Sequence, residues 1–356
     1  MMSFNHRSTW LLSLLVFMLG ALLGGCDTAP ATPAPNTQAP TTQNTLPPTQ
    51  PPPPPTQPPA PNTPAPTAQP TSAAARNPTH SSPVALTSDD ATLLVANPLN
   101  GTVTIVNVKG DANQKLAEVK VGVEPQSVAI APDDKTAYVT NQGSASVSVI
   151  DIAGQKEVIQ IKVGVEPYGV AFTPDGARAY VVNGASRSVS VIDAKTQQVS
   201  ATIKLPIVGP RAVAITANNN GAGPQFVYVT QFLSQEAANG KEMNDSGKEG
   251  KVIVLSTADD QNIQGTIILA PHDTGFTADR SAFGGTATDP TSAFPNQMQS
   301  VVLKNGKGYL PNIASGPQAP VRFDVDTQAF LSVFDTASKA ELPGHAQTVP
   351  GQSLGR

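Results

Sequence analysis

The residues of this 356-residue chain that could do chemistry are few and far apart. It has four histidines: His6 near the N-terminus, His80 in a proline-rich stretch, and His272 and His345 in loop-like surroundings. A zinc centre needs three or four protein ligands brought together, and these positions offer no such set. Asp324 and Asp326 could hold one side of a calcium ion, but two carboxylates fall short of six to eight oxygens. There is no Gly-X-Ser-X-Gly elbow, phosphate-cradling glycine loop or His-Glu-X-X-His helix. The reading is therefore no metal, no cofactor and no catalytic constellation. One polar stretch, residues 232–250, carries Glu236, Lys241, Glu242 and Asp245, and His272 and Asp273 follow it. Long loops on rigid scaffolds often carry binding, so these six are the candidate ligand-facing residues; a solvated loop is the competing reading. The formal net charge is −4 and only 13% of residues are charged. With no basic stripe, nucleic acid is not an expected partner.

The elements that must position such residues come from a repeat. Gln126 to Pro167 returns from Tyr168 onward: Val128 matches Val170, Tyr138 matches Tyr180, and Ser146 to Asp151 (SVSVID) matches Ser188 to Asp193. The Val-Gly-Val-Glu-Pro at Val121 recurs at Val163. Each unit holds four short runs rich in β-branched and aromatic residues, separated by Pro, Gly and Asp turns. A period of ~40–45 residues with four strands marks a propeller blade. The fold class expected is all-β: four complete four-stranded antiparallel blades (about 84–123, 124–165, 166–207 and 208–270) and a partial fifth (297–335). The fifth lacks a fourth strand, and 336–356 is an irregular tail. Residues 272–296 form a long loop. Pro311 takes the place of Thr140, which points to an edge or irregular strand. The recurring Asp89-Asp90, Asp133-Asp134 and Asp175 read as turn chemistry, and Tyr138, Tyr180, Tyr228 and Tyr309 as one packing slot.

Ahead of the repeat, composition changes twice. Residues 1–26 hold Arg7 and an apolar run from Trp10 to Leu23, too short to span a bilayer comfortably. The run ends at Leu23-Gly24-Gly25-Cys26, which resembles the lipobox of bacterial lipoproteins. That resemblance implies a lipid on Cys26 and a membrane as partner. Cys26 is the single cysteine, so no internal disulfide is possible. Residues 27–82 follow as a proline- and threonine-rich tether with too little apolar surface to offset the entropy of ordering.

The Tyr138-Val-Thr-Asn141 run and the repeat around it resemble the YVTN family of bacterial β-propeller proteins. The likeness spans about Val84 to Asp335 and is strongest over 121–205. It implies a seven-bladed ring, so the blades here read as part of a longer one. The function expected is an extracytoplasmic, lipid-anchored binding or scaffold module on the cell membrane or envelope, for a protein, glycan or envelope ligand. The alternative is the non-catalytic propeller portion of a periplasmic oxidoreductase, its cofactor held elsewhere.

Overall fold

A computed structural model describes residues 79–217, 225–321, 327–342 and 347–348. The expectations for Leu23, Gly24, Gly25 and Cys26, most of the tether, Asp324, Asp326 and His345 lie outside the described residues. Strand β1 (Thr79–His80) comes first. Sheet one then runs β2 (Val84–Leu86), β3 (Thr92–Asn97), β4 (Thr102–Asn107) and β5 (Gln114–Lys120). Sheet two is β6 (Pro125–Ile130), β7 (Thr136–Asn141), β8 (Ser146–Asp151) and β9 (Lys156–Lys162). Sheet three is β10 (Pro167–Phe172), β11 (Arg178–Asn183), β12 (Ser188–Asp193) and β13 (Gln198–Lys204). Sheet four holds β14 (Pro210–Ile215), β15 (Phe226–Gln231), the short β16 (Gln235–Glu236), β17 (Lys248–Ser256) and β18 (Asp259–Leu269). A hairpin of β19 (His272–Ala278) and β20 (Asp289–Ala293) precedes sheet five. That sheet is β21 (Val302–Lys304), β22 (Lys307–Ser315), β23 (Thr327–Asp335), β24 (Ala340–Glu341) and β25 (Gln347–Thr348). The molecule is all-β, built from repeated four-stranded antiparallel sheets that are propeller-like in their meander order.

The sheets stack in chain order, and each seam is an apolar cluster between neighbours. Leu94, Val103 and Ile105 of sheet one meet Val128, Val139 and Ile150 of sheet two. Tyr138, Val147 and Val149 of sheet two meet Val170, Phe172 and Ile192 of sheet three. Similar clusters join sheets three to four and four to five. The recurring tyrosine belongs to these seams: the Tyr138 ring lies 4.6 Å from Phe172, and Tyr228 lies 4.9 Å from Phe334. The recurring aspartates close turns. Asp89, Asp133 and Asp175 each accept a backbone N–H two residues on. The asparagine that ends the second strand is a cross-strand staple: the Asn141 amide donates to Ser146 and Ser148, and Asn183 donates to Ser188 and Ser190. In sheet four the two hydroxyl positions are Lys251 and Ile253, and Gln231, in the asparagine's place, is buried without a side-chain hydrogen bond to a described residue, so this sheet lacks the staple.

Three expectations are corrected, and the fourth, an edge position for Pro311, is met locally. Residues 79–82 belong to the fold rather than to the tether, because β1 finds ladder partners on β14: Thr79 pairs with Ile215 and His80 with Ala214. Residues 272–296 are not a plain loop, because Thr274 and Thr291 bond across a hairpin. Sheet five does have a fourth strand. Asp335 accepts the N–H groups of Ala337 and Ser338 and turns the chain back, so Ala340–Glu341 pairs with β23. Pro311 lies inside β22 and is paired with Leu331. It is tolerated because its nitrogen faces the β21 side, like that of Ile313, which donates to Asn296 in place of a strand. Pairing of β21 with β22 ends at Tyr309, so no ladder bond is lost there.

Candidate functional site

One repeat position varies from unit to unit. Two residues before the recurring valine of each first strand, the five units carry Ser82, Gln126, Tyr168, Arg211 and Gln299 in turn. All five line one crevice of about 420 Å³, walled also by Ser127, Gly169 and Ser300. They converge because the first strands are bulged at that point. Register slips between Pro125 and Ser127 in β6, between Pro167 and Val170 in β10, and between Pro210 and Val213 in β14. A bulge leaves one residue out of the ladder and re-aims its side chain. The threonine of the repeat supports the bulge: Thr140 Oγ1 accepts the Ser127 N–H, and Thr230 Oγ1 accepts that of Ala212. Each hydroxyl then donates to the next unit, Thr140 to the Tyr168 carbonyl at 2.5 Å and Thr230 to that of Met298 at 2.8 Å.

The segment 79–82 forms one wall by crossing three first strands. Thr79 Oγ1 donates to the Phe172 carbonyl at 2.6 Å, Ser81 N to Val213 O at 2.8 Å, and Val128 N to Ser82 O at 2.8 Å. Gly169 leaves the space this crossing needs. A Cβ there would stand 2.8 Å from the Arg211 carbonyl and 3.0 Å from Ser81 Oγ. His80 is thus part of the crevice wall rather than of a tether, and desolvation lowers its pKa.

Arg211 is the one permanently charged side chain lining the crevice. Its guanidinium carbon stands 3.5 Å from the Tyr168 ring centre and 4.4 Å from that of Phe232, so aromatic rings flank it. Burial lowers its pKa, and Tyr168 and Glu166 offset part of that. No carboxylate among the described residues lies within ion-pair distance of it. The side chains of Gln126, Gln299 and Ser300 make no hydrogen bond to a described residue.

The six residues expected from sequence are not assembled there. Glu236, Lys241 and Glu242 are exposed on the insertion. Asp245 is buried in an ion pair with Arg280, His272 bonds Glu341 at 2.9 Å, and exposed Asp273 accepts the Gly275 N–H. Sequence reasoning passed over the crevice residues because each is unremarkable alone. The slot does vary in sequence, but so does the next one (Pro83, Ser127, Gly169, Ala212 and Ser300), so variation alone did not single it out.

No family model matches the chain, and no curated protein does. Among solved structures, the chain is similar to hydrazine synthase of Kuenenia stuttgartiensis, with a TM-score of 0.53 and 21% identity over 73% of this chain. It spans 65% of that protein's chain. It is also similar, at a TM-score of 0.47 and 15% identity, to a functionally unknown protein of Desulfotomaculum acetoxidans DSM 771, over 77% of this chain and 72% of that one. At such identity the first likeness concerns the fold alone.

Proposed function

We propose that this chain is an extracytoplasmic binding module, held to a membrane through lipid on Cys26 and carrying a YVTN-type β-propeller. Its ligand site is the crevice of Ser82, Gln126, Tyr168, Arg211 and Gln299. The observation that carries this reading is the convergence of the repeat's varying slot on one concavity. Five separate repeats thereby contribute polar or aromatic groups to one concavity, the form of a small-ligand site. The test uses the full chain and its Cys26→Ser form in membrane fractionation, and isolated cell envelopes for retention. Cys26→Ser is expected to move to the soluble fraction. Arg211→Ala with Tyr168→Ala is expected to lower envelope retention at least tenfold, while alanine at Glu236, Lys241 and Glu242 leaves it unchanged. The reverse pattern would transfer the site to the insertion.

The propeller is also proposed to be larger than five blades. Val128, Val170 and Val213 are at most 1% exposed because each packs on the preceding sheet, yet Val84 in the same slot is 44% exposed. At the other end Leu331 is 36% exposed, where its counterparts Val147, Val189 and Val252 are buried. Both end faces have the form of seams awaiting a blade, which supports a ring of about seven. The sequence encoded downstream of Arg356 checks this: further copies of the repeat are expected, and blade-free sequence after a stop would sink the idea.

A further inference from the structure

The crevice chemistry points to one class of ligand, granted the binding-module reading above: we infer that it takes a saccharide bearing a single carboxylate. The charge argument comes first. Arg211 has no carboxylate within ion-pair distance among the described residues, Glu166 acting on it only from farther off, and the crevice wall contains no acid. The rings of Tyr168 and Phe232 stand 3.5 and 4.4 Å from its guanidinium carbon; apart from Tyr168, no described residue hydrogen-bonds its N–H edges. Those edges form a planar fork that matches a carboxylate in bidentate fashion. Partial burial strengthens such bonds by lowering the local dielectric. One cation suits a monoanion better than a phosphate dianion, for which arginine clusters are the usual solution.

The neutral groups argue for a sugar. Gln126 and Gln299 each offer an amide that both donates and accepts, and Ser300 offers a hydroxyl. None is engaged with a described residue. This is the equipment for reading ring hydroxyls around one charged group. The volume of about 420 Å³ falls in the ~300–1,000 Å³ range of small-ligand sites. A peptide would most readily add as a strand to the free edge of β14, but that edge is already paired with Thr79 and His80.

The experiment titrates the full-length Cys26→Ser protein calorimetrically with sugars in matched pairs: D-glucuronate against D-glucose, D-galacturonate against D-galactose, and N-acetylmuramate against N-acetylglucosamine. At least one acidic member is expected to bind ten times more tightly than its neutral twin. Arg211→Gln should weaken that binding by ~10- to 100-fold, the loss of a charge-assisted fork, with its thermal midpoint unchanged. Arg211→Lys should recover only part, since it keeps the charge without the fork. Equal binding of acidic and neutral twins, or an undisturbed Arg211→Gln, overturns the inference. So does preference for a short peptide with a free C-terminal carboxylate. If no sugar binds while envelope retention still depends on Arg211, the acidic-sugar inference falls and the crevice reading stands. If retention is also insensitive to Arg211, both fall.

Discussion

Replacing Asp245 by alanine is expected to lower the unfolding free energy by ~3–5 kcal/mol, as removal of one partner of a buried ion pair does. Asp245 and Arg280 are 5% and 6% exposed at their side chains. Together they tie three peripheral segments. Asp245 accepts the Gln318 N–H at 2.8 Å, and Arg280 donates to the carbonyls of Pro290 and Ala319, each at 3.2 Å. The insertion of sheet four, the β19–β20 hairpin and the loop after β22 therefore share one electrostatic pin. Without Asp245 the guanidinium stays buried with only carbonyl partners. Denaturant unfolding of the variant measures the cost, and a loss below ~1 kcal/mol would show that the pin does not hold these segments. The double variant Asp245→Leu, Arg280→Met should regain most of the stability, because it leaves no uncompensated charge. One of the insertion residues named as ligand-facing in sequence thus has its charge consumed by structure.

Raising the pH from about 10 to about 12 is expected to remove ~5–6 kcal/mol of stability, through three seam tyrosines. Burial pushes the Tyr138 and Tyr228 hydroxyls up to about 12, with smaller contributions from Asp193 and Asp335, and burial together with the Asp260 carboxylate raises Tyr180 further still. The unfolded chain ionises its tyrosines near 10, so their contribution is intact below about pH 10. It falls progressively from there as the pH approaches the folded-state value. A tenfold change in an ionisation constant is worth ~1.4 kcal/mol, and each of these three hydroxyls ionises at least roughly a hundredfold less readily in the folded chain. Denaturation midpoints measured across this window test it. Tyr138→Phe should remove about a third of the dependence, and a flat profile across the window would refute the assignment. At neutral pH the same substitution should be near neutral, since the Tyr138 hydroxyl is buried without a hydrogen-bond partner among the described residues. Tyr180→Phe differs. It deprives Asp260 of a donor and leaves it on Arg178 alone, at a cost of ~1.5–3 kcal/mol.

The period of the chain made the strands, their order and the seam tyrosines legible, because each repeat spells out the same alternation and turn chemistry. Where a repeat departed from the pattern, legibility failed. The pairing of β1 with β14 joins His80 to Ala214, 134 positions on (214 minus 80), and nothing local in either segment announces it. The fourth strand of sheet five is two residues long, shorter than any pattern can reveal. The candidate site was missed for a related reason: its residues come from five repeats, and only stacking shows that the slots meet.

The sequence by itself determined the all-β class, the repeat length and the recurrence of Val-Gly-Val-Glu-Pro. Tertiary structure decided what that recurrence is for. A Cβ at Gly122 or Gly164 would come within 2.6 Å of the Asn141 or Asn183 side chain, so the glycine makes room for the staple. Glu124 and Glu166 hold φ near +53° and +56°, where sheet four has Gly209 at +59°, so that position is a backbone corner leading into the bulge. Local propensities specify such strands and corners one repeat at a time. Which side chains share a cavity depends on how the sheets stack, and stacking is a property of contacts distant in sequence.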